Sequence, residues 1–124
     1  MSNTNDQPTG TDSLDMRDEA AALALAGGDD ELAAELLAAL LAGLPEELES
    51  LRACLAESDW PGLAEYAHRV RGATRYCGVP ALDAAMEALE RSARIGDQQG
   101  CREGFGLVEA QARRLLERLG PGIA

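Results

Sequence analysis

The chain has 124 residues, a formal net charge of −11 and an aromatic content of only 3%. That length suits one small domain able to bury a core of its own. The charge disfavours a phosphate backbone or an anionic membrane surface as partner, so neither nucleic-acid binding nor membrane insertion is expected.

Ala, Leu, Glu and Arg dominate while β-branched residues are scarce, a composition that favours helix over strand. Residues 1–59 hold fourteen acidic against two basic side chains, whereas residues 60–78 hold Glu65 against Arg69, Arg71 and Arg75. The cations are all arginine, whose planar fork of donors suits carboxylate and phosphate. The N-terminus lacks a basic start and an apolar core, so it does not read as a secretory signal. The longest apolar run, nine residues over 36–44, is too short to span a bilayer. A soluble protein is expected, although a piece cut from a membrane receptor would look the same. Cys54, Cys77 and Cys101 are odd in number and form no CxxC pair, which gives a metal or redox centre little support. Cys77 falls on an apolar stripe and Cys54 lies beside Leu51 and Leu55, so both are expected as buried thiols in a reducing, cytoplasmic setting.

In chain order, residues 1–11 read as a disordered tail and residues 12–120 as the folded domain. Asp12 or Ser13 is placed to cap a short helix over about 13–26, ended by Gly27-Gly28. Asp29 or Asp30 opens the longest pattern, with Leu32, Leu36, Leu40, Leu44, Leu48, Leu51 and Leu55 three or four apart. Pro45 has no N–H and its ring opposes the Leu41 carbonyl, which predicts a kink or a brief break; two helices are the alternative. Asp59 and Pro61 mark the start of a helix over about 60–78, with Gly78 as its left-handed terminator. A helix over about 80–95 shows Leu82, Ala85, Met86, Leu89 and Ala93 on one side. The last, over about 97–119, shows Cys101, Phe105, Val108, Ala112, Leu115 and Leu119, with Gly104 and Gly106 weakening its start. Short connections near 58, 79 and 96 make consecutive helices antiparallel neighbours. The expected fold is all-α, an antiparallel up-down-up-down four-helix bundle with a short N-terminal helix capping one end.

The stretch Ala67-His68-Arg69-Val70-Arg71-Gly72-Ala73-Thr74-Arg75-Tyr76-Cys77-Gly78 holds the chain's one histidine. Leu63, Ala67, Val70, Ala73 or Thr74, and Cys77 form its apolar stripe. His68, Arg71, Gly72 and Arg75 then share another face, turned to solvent. Glycine in mid-helix costs about 1 kcal/mol against alanine, and close approach of another molecule is one offset. A neutral imidazole nitrogen can attack phosphorus, and the anionic product needs a cationic neighbour such as Arg71. The plain structural meanings are a surface histidine, a solvated arginine face and a glycine that serves tight helix packing.

These residues resemble the histidine phosphotransfer (HPt) domain, and most closely those of hybrid sensor kinases of the BarA/GacS type. Ala67-His68-Arg69-Val70-Arg71-Gly72 follows the family's H-x-x-[K/R]-G core, and Ala73 to Pro80 continue in the manner of that subgroup. A looser likeness extends over residues 29–119, including the Asp59-Trp60 lead-in. The resemblance implies that His68 accepts a phosphoryl group from a receiver-domain aspartate and passes it to another. It implies that Arg71 replaces the usual lysine and steadies phosphoryl oxygens, and that Gly72 admits the receiver. It implies that Glu90, 22 positions on and often Gln elsewhere, orients the ring; an ordinary solvent-facing glutamate is the alternative. Docking is expected around His68, on Ala64, Ala67, Ala73, Arg75 and Val79. No cofactor is expected on this chain, since Mg²⁺ would come with the receiver. The expected partners are response-regulator receivers and a hybrid sensor kinase, with the protein itself a monomer. No ATP-binding glycine motif is present, so kinase activity is not expected. The competing class is a helical adaptor that docks receivers without phosphotransfer.

Overall fold

The computed structural model describes residues 15–120. Five helices follow one another, α1 (Glu19–Leu25), α2 (Asp30–Ala56), α3 (Trp60–Thr74), α4 (Pro80–Arg94) and α5 (Gln98–Leu119). Aspartate opens four of them. Asp18, Asp29, Asp59 and Asp97 each accept a backbone N–H three residues on, at 3.0–3.1 Å, which satisfies donors a helix start otherwise leaves bare.

The exception is α4, whose N-cap Val79 has no capping side chain. Pro80 contributes no N–H there, and the Ala81 N–H is met at 3.1 Å by the carbonyl of Asp15. The segment 15–18 thus lies as a strap across the α3–α4 turn. Its Asp18 N–H donates to the Gly78 carbonyl at 2.8 Å, and Arg17 donates to the Cys77 carbonyl. Gly78 has φ +65°, and a Cβ there would stand 2.6 Å from the Asp18 carbonyl oxygen and 2.7 Å from the Ala22 Cβ. Glycine is required on both counts.

The bundle is α2 to α5. Contact pairs run in opposite order along neighbouring helices: His68 meets Glu90 while Thr74 meets Asp83, and Leu89 lies against Gly104 while Ser92 lies near Gly100. So α3 is antiparallel to α4 and α4 to α5, as the short turns predict, and α2 closes the bundle by packing on both α3 and α5. The core centres on Leu44, Leu51, Leu63, Met86, Leu89 and Leu115, each 0–1% exposed. Each such side chain contributes about 1.5–3 kcal/mol of apolar burial. Gly104 is buried where α5 meets the Leu89 backbone, with a Cβ position only 3.3 Å from the Leu89 Cα. The glycine that weakens the α5 start therefore lets α4 and α5 approach closely.

Several boundaries differ from the expectation. The first helix begins at Glu19, capped by Asp18; residues 1–14, with the tail and the Asp12 or Ser13 cap, lie outside the described residues. α2 runs through Pro45 unbroken, so it is one helix and not two. Pro45 is exposed, and the buried Leu44 and Leu51 on either side anchor the helix across it. α3 ends at Thr74; the stripe continues to Cys77 through a turn, with the Arg75, Tyr76 and Cys77 N–H groups each bonded three or four residues back. Cys77 is buried with its thiol on the Leu36 carbonyl at 3.4 Å, whereas Cys54 is only half-buried. Leu32 and Leu119, counted on apolar stripes, are 40% and 37% exposed at the ends of their helices.

The strap and turn are testable by substitution. Gly78→Ala should lose at least about 1–2 kcal/mol from the left-handed conformation alone. Gly43→Ala, in a helix interior with nothing within 4 Å of the added carbon, should gain about 1 kcal/mol. Denaturant titration reads both, and an unchanged midpoint for Gly78→Ala would refute the steric account of the turn.

Candidate functional site

Mid-helix in α3, the His68 side chain is 63% exposed, while residues on the opposite side of the same turn are core. Its Nδ1 lies 3.1 Å from Oε2 of Glu90, projected from α4. A carboxylate can only accept, so this contact places a proton on Nδ1. On a neutral ring the lone pair is then on Nε2, which has no hydrogen-bond partner among the described residues.

Glu90 is itself only 8% exposed. Its Oε2 also accepts from Arg94, one turn on, at 3.0 Å from Nε and 2.6 Å from Nη2. Its Oε1 faces Arg71 Nη1 at 3.6 Å, and Arg71 Nε faces Asp83 Oδ1 at 3.6 Å. Both separations are ion-pair contacts too long for hydrogen bonds. Arg71 Nε and Glu90 Oε1 are buried and make no hydrogen bond within the described residues. The buried Thr74 hydroxyl donates to Asp83 at 2.7 Å, which fixes that carboxylate from the α3 side. Burial pushes the Glu90 carboxyl upward, but the Arg94 hydrogen bonds and the charges and hydrogen bond of His68 and Arg94 outweigh it. The net position is below the ordinary glutamate value, so Glu90 is ionised at neutral pH.

The structure brings His68, Arg71 and Glu90 together and leaves Gly72 exposed beside them. The ring contact excludes the solvent-facing alternative for Glu90. A Cβ at Gly72 would meet nothing within 4 Å, so tight packing within the chain does not account for this glycine. Thr74, not Ala73, completes the apolar stripe, and Ala73 and Arg75 are exposed. Three of the expected docking residues require correction. Ala64, Ala67 and Val79 are 3%, 0% and 1% exposed and belong to the core, where a partner cannot touch them. Arg71 is not on a solvated face, since its side chain is 17% exposed and set against two carboxylates of α4. Sequence reasoning missed Asp83 and Arg94. The i,i+4 spacing of Glu90 and Arg94 was a readable signal, whereas nothing local announces the Asp83 contact.

These features define a class: a helical bundle that presents one exposed, oriented histidine. The family model for the Hpt domain matches residues 35–120, and the chain belongs to that family, whose work is histidine phosphotransfer in a phosphorelay. It is 47% identical over 77 residues to the sensor histidine kinase GacS of Pseudomonas protegens and 48% identical over 68 residues to the sensor protein GacS of Pseudomonas syringae pv. syringae. It is 32% identical over 78 residues to the signal transduction histidine-protein kinase BarA of Shigella flexneri. These matches cover 62%, 55% and 63% of this chain but 8% of each relative, so the chain spans a small part of the proteins it resembles. No solved structure matches it. No helix among the described residues is long and apolar enough to cross a membrane.

The depressed Glu90 carboxyl carries a pH signature. Its contribution to stability is present above the unfolded-state value and is lost as pH falls through the lower folded-state value. The wild type should therefore lose more stability than Glu90→Gln on acidification through that window. Urea midpoints of the two proteins at neutral and acid pH measure the difference, and parallel losses would show that Glu90 carries no such linkage.

Proposed function

We propose that His68 is the phosphoacceptor: it takes a phosphoryl group from the aspartyl phosphate of a response-regulator receiver and gives it to a second receiver aspartate. The observation that carries this reading is the exposed imidazole whose Nδ1 is held by the buried Glu90 carboxylate. The Nε2 lone pair forms the N–P bond as the bond from phosphorus to the aspartyl oxygen breaks, and the electron pair leaves on the aspartate carboxylate. The ring becomes cationic in that step, and its Nδ1–H then faces an anion at hydrogen-bond distance.

Positioning and charge supply most of the barrier reduction in phosphoryl transfer, and both have candidates here. Arg71 lies against the carboxylate that holds the ring, with a buried Nε that lacks a hydrogen bond. The Arg71 side chain as a whole is 17% exposed, so a phosphoryl oxygen on the ring would find there a cation held only by 3.6 Å contacts. Gly72 leaves the flank of His68 without side-chain bulk, and Arg75 adds exposed positive charge one turn on. Mg²⁺ would be held by the receiver's acidic pocket. The setting is cytoplasmic, the upstream partner a hybrid sensor kinase, and the protein acts as a monomer without kinase activity of its own.

Labelled phosphate from a phosphorylated receiver, with Mg²⁺, provides the test. The native chain should acquire acid-labile, alkali-stable label, and His68→Gln none. Arg71→Ala should slow transfer about ten- to hundred-fold, the worth of one charge-assisted hydrogen bond. Gly72→Ala should gain stability, by about 1 kcal/mol, yet accept phosphate no faster than wild type. Docking without label across a panel of receivers would favour the adaptor.

A further inference from the structure

We propose that Arg94 is a positioning residue for the phosphotransfer step, acting through Glu90 to hold His68 as its Nδ1–H tautomer. This role rests on the function proposed above. Glutamate has three rotatable bonds, and Glu90 is drawn two ways, since Oε2 meets His68 while Oε1 faces Arg71. Arg94 places two donors of its fork, Nε and Nη2, on the oxygen that accepts from the ring. It thereby pins Oε2 toward α3 and leaves only Oε1 to Arg71. Released from Arg94, the carboxylate would be free to turn both oxygens toward the Arg71 guanidinium and leave the imidazole.

The charges around the ring support the same role. Two carboxylates, Asp83 and Glu90, face two guanidinium groups, Arg71 and Arg94. The cluster is neutral without a protonated imidazole. The neighbouring charged groups are occupied elsewhere or point out: Arg69 lies over the Tyr66 ring, Arg91 pairs with Glu87, and Glu65 and Arg75 are exposed. Among the described residues, no charged side chain of α2 or α5 pairs with the cluster. Removing Arg94 would leave one net negative charge beside the ring and strip Oε2 of the two donors that hold it in place. Arg94 thus lets a charged glutamate serve as a neutral acceptor would.

The test is long-range proton–nitrogen correlation NMR of the His68 ring in the full chain near neutral pH, paired with receiver-to-chain phosphate transfer. Wild type should show a protonated Nδ1 and a bare Nε2. Arg94→Gln should shift both nitrogens toward tautomer exchange and slow acceptance several-fold, while keeping the helical circular dichroism of the wild type. Arg94→Lys should recover most of both signals. An unchanged ring spectrum in Arg94→Gln, with normal labelling of wild type, would overturn the role of Arg94 alone. A shifted spectrum with no labelling of wild type would overturn the phosphotransfer reading and this role with it.

Discussion

The functional face depends on a buried carboxylate shared between two helices. Glu90 comes from α4, the ring it holds comes from α3, and the 3.1 Å between them exists only while those helices keep register. Register is kept from both sides. Thr74 binds Asp83 near the α3–α4 turn, and Gly104 lets the α5 backbone seat against Leu89, the residue before Glu90. Sliding of α4 along α3 would stretch and misalign the ring contact. The rigidity of the core is therefore what orients an exposed side chain.

α3 divides its labour by face. Leu63, Ala67, Val70 and Thr74 pack inward, His68, Arg69 and Gly72 turn outward with Arg75 just past the helix end, and the buried polar groups of the site, Glu90 and the Arg71 Nε, sit at the α3–α4 seam. Arg71 sits at the boundary with its charge spent on α4 carboxylates. Such boundary groups are loosely satisfied, and that suits a cation that must serve one partner at rest and another when phosphate arrives.

The helices and their inward stripes were legible because a period of 3.6 residues survives translation into burial. Periodicity fails at the edges. It carried α3 on to Cys77, because turn hydrogen bonds keep that residue inward after the helix has ended. The docking expectation placed Ala64 and Ala67 at the surface because they lie one turn and one residue from His68, although periodicity set Ala67 on the apolar stripe, and both are core. Pro45 as a breaker is a local rule overridden by the leucines packed around it. The motif reported His68, Arg71, Gly72 and Glu90, all within one pair of helices. Of the partners that tune them, Arg94 sits one turn from Glu90 on α4 and was readable from spacing, whereas Asp83 comes from the packing of α3 on α4 and carries no local signal.

The strap at residues 15–18 has a consequence for the order of assembly. Its partners, Gly78, Cys77 and Ala81, lie some sixty residues downstream, and they are in place only after α3 and α4 have formed their hairpin. The hairpin closes a loop of a few residues, whereas the strap closes one of about sixty, at a greater entropic cost. The strap thus docks after that hairpin has closed. Until it docks, the Ala81 N–H at the start of the helix that carries Glu90 lacks its carbonyl partner. The chain's earliest described residues complete, after the hairpin, the helix that aims its histidine.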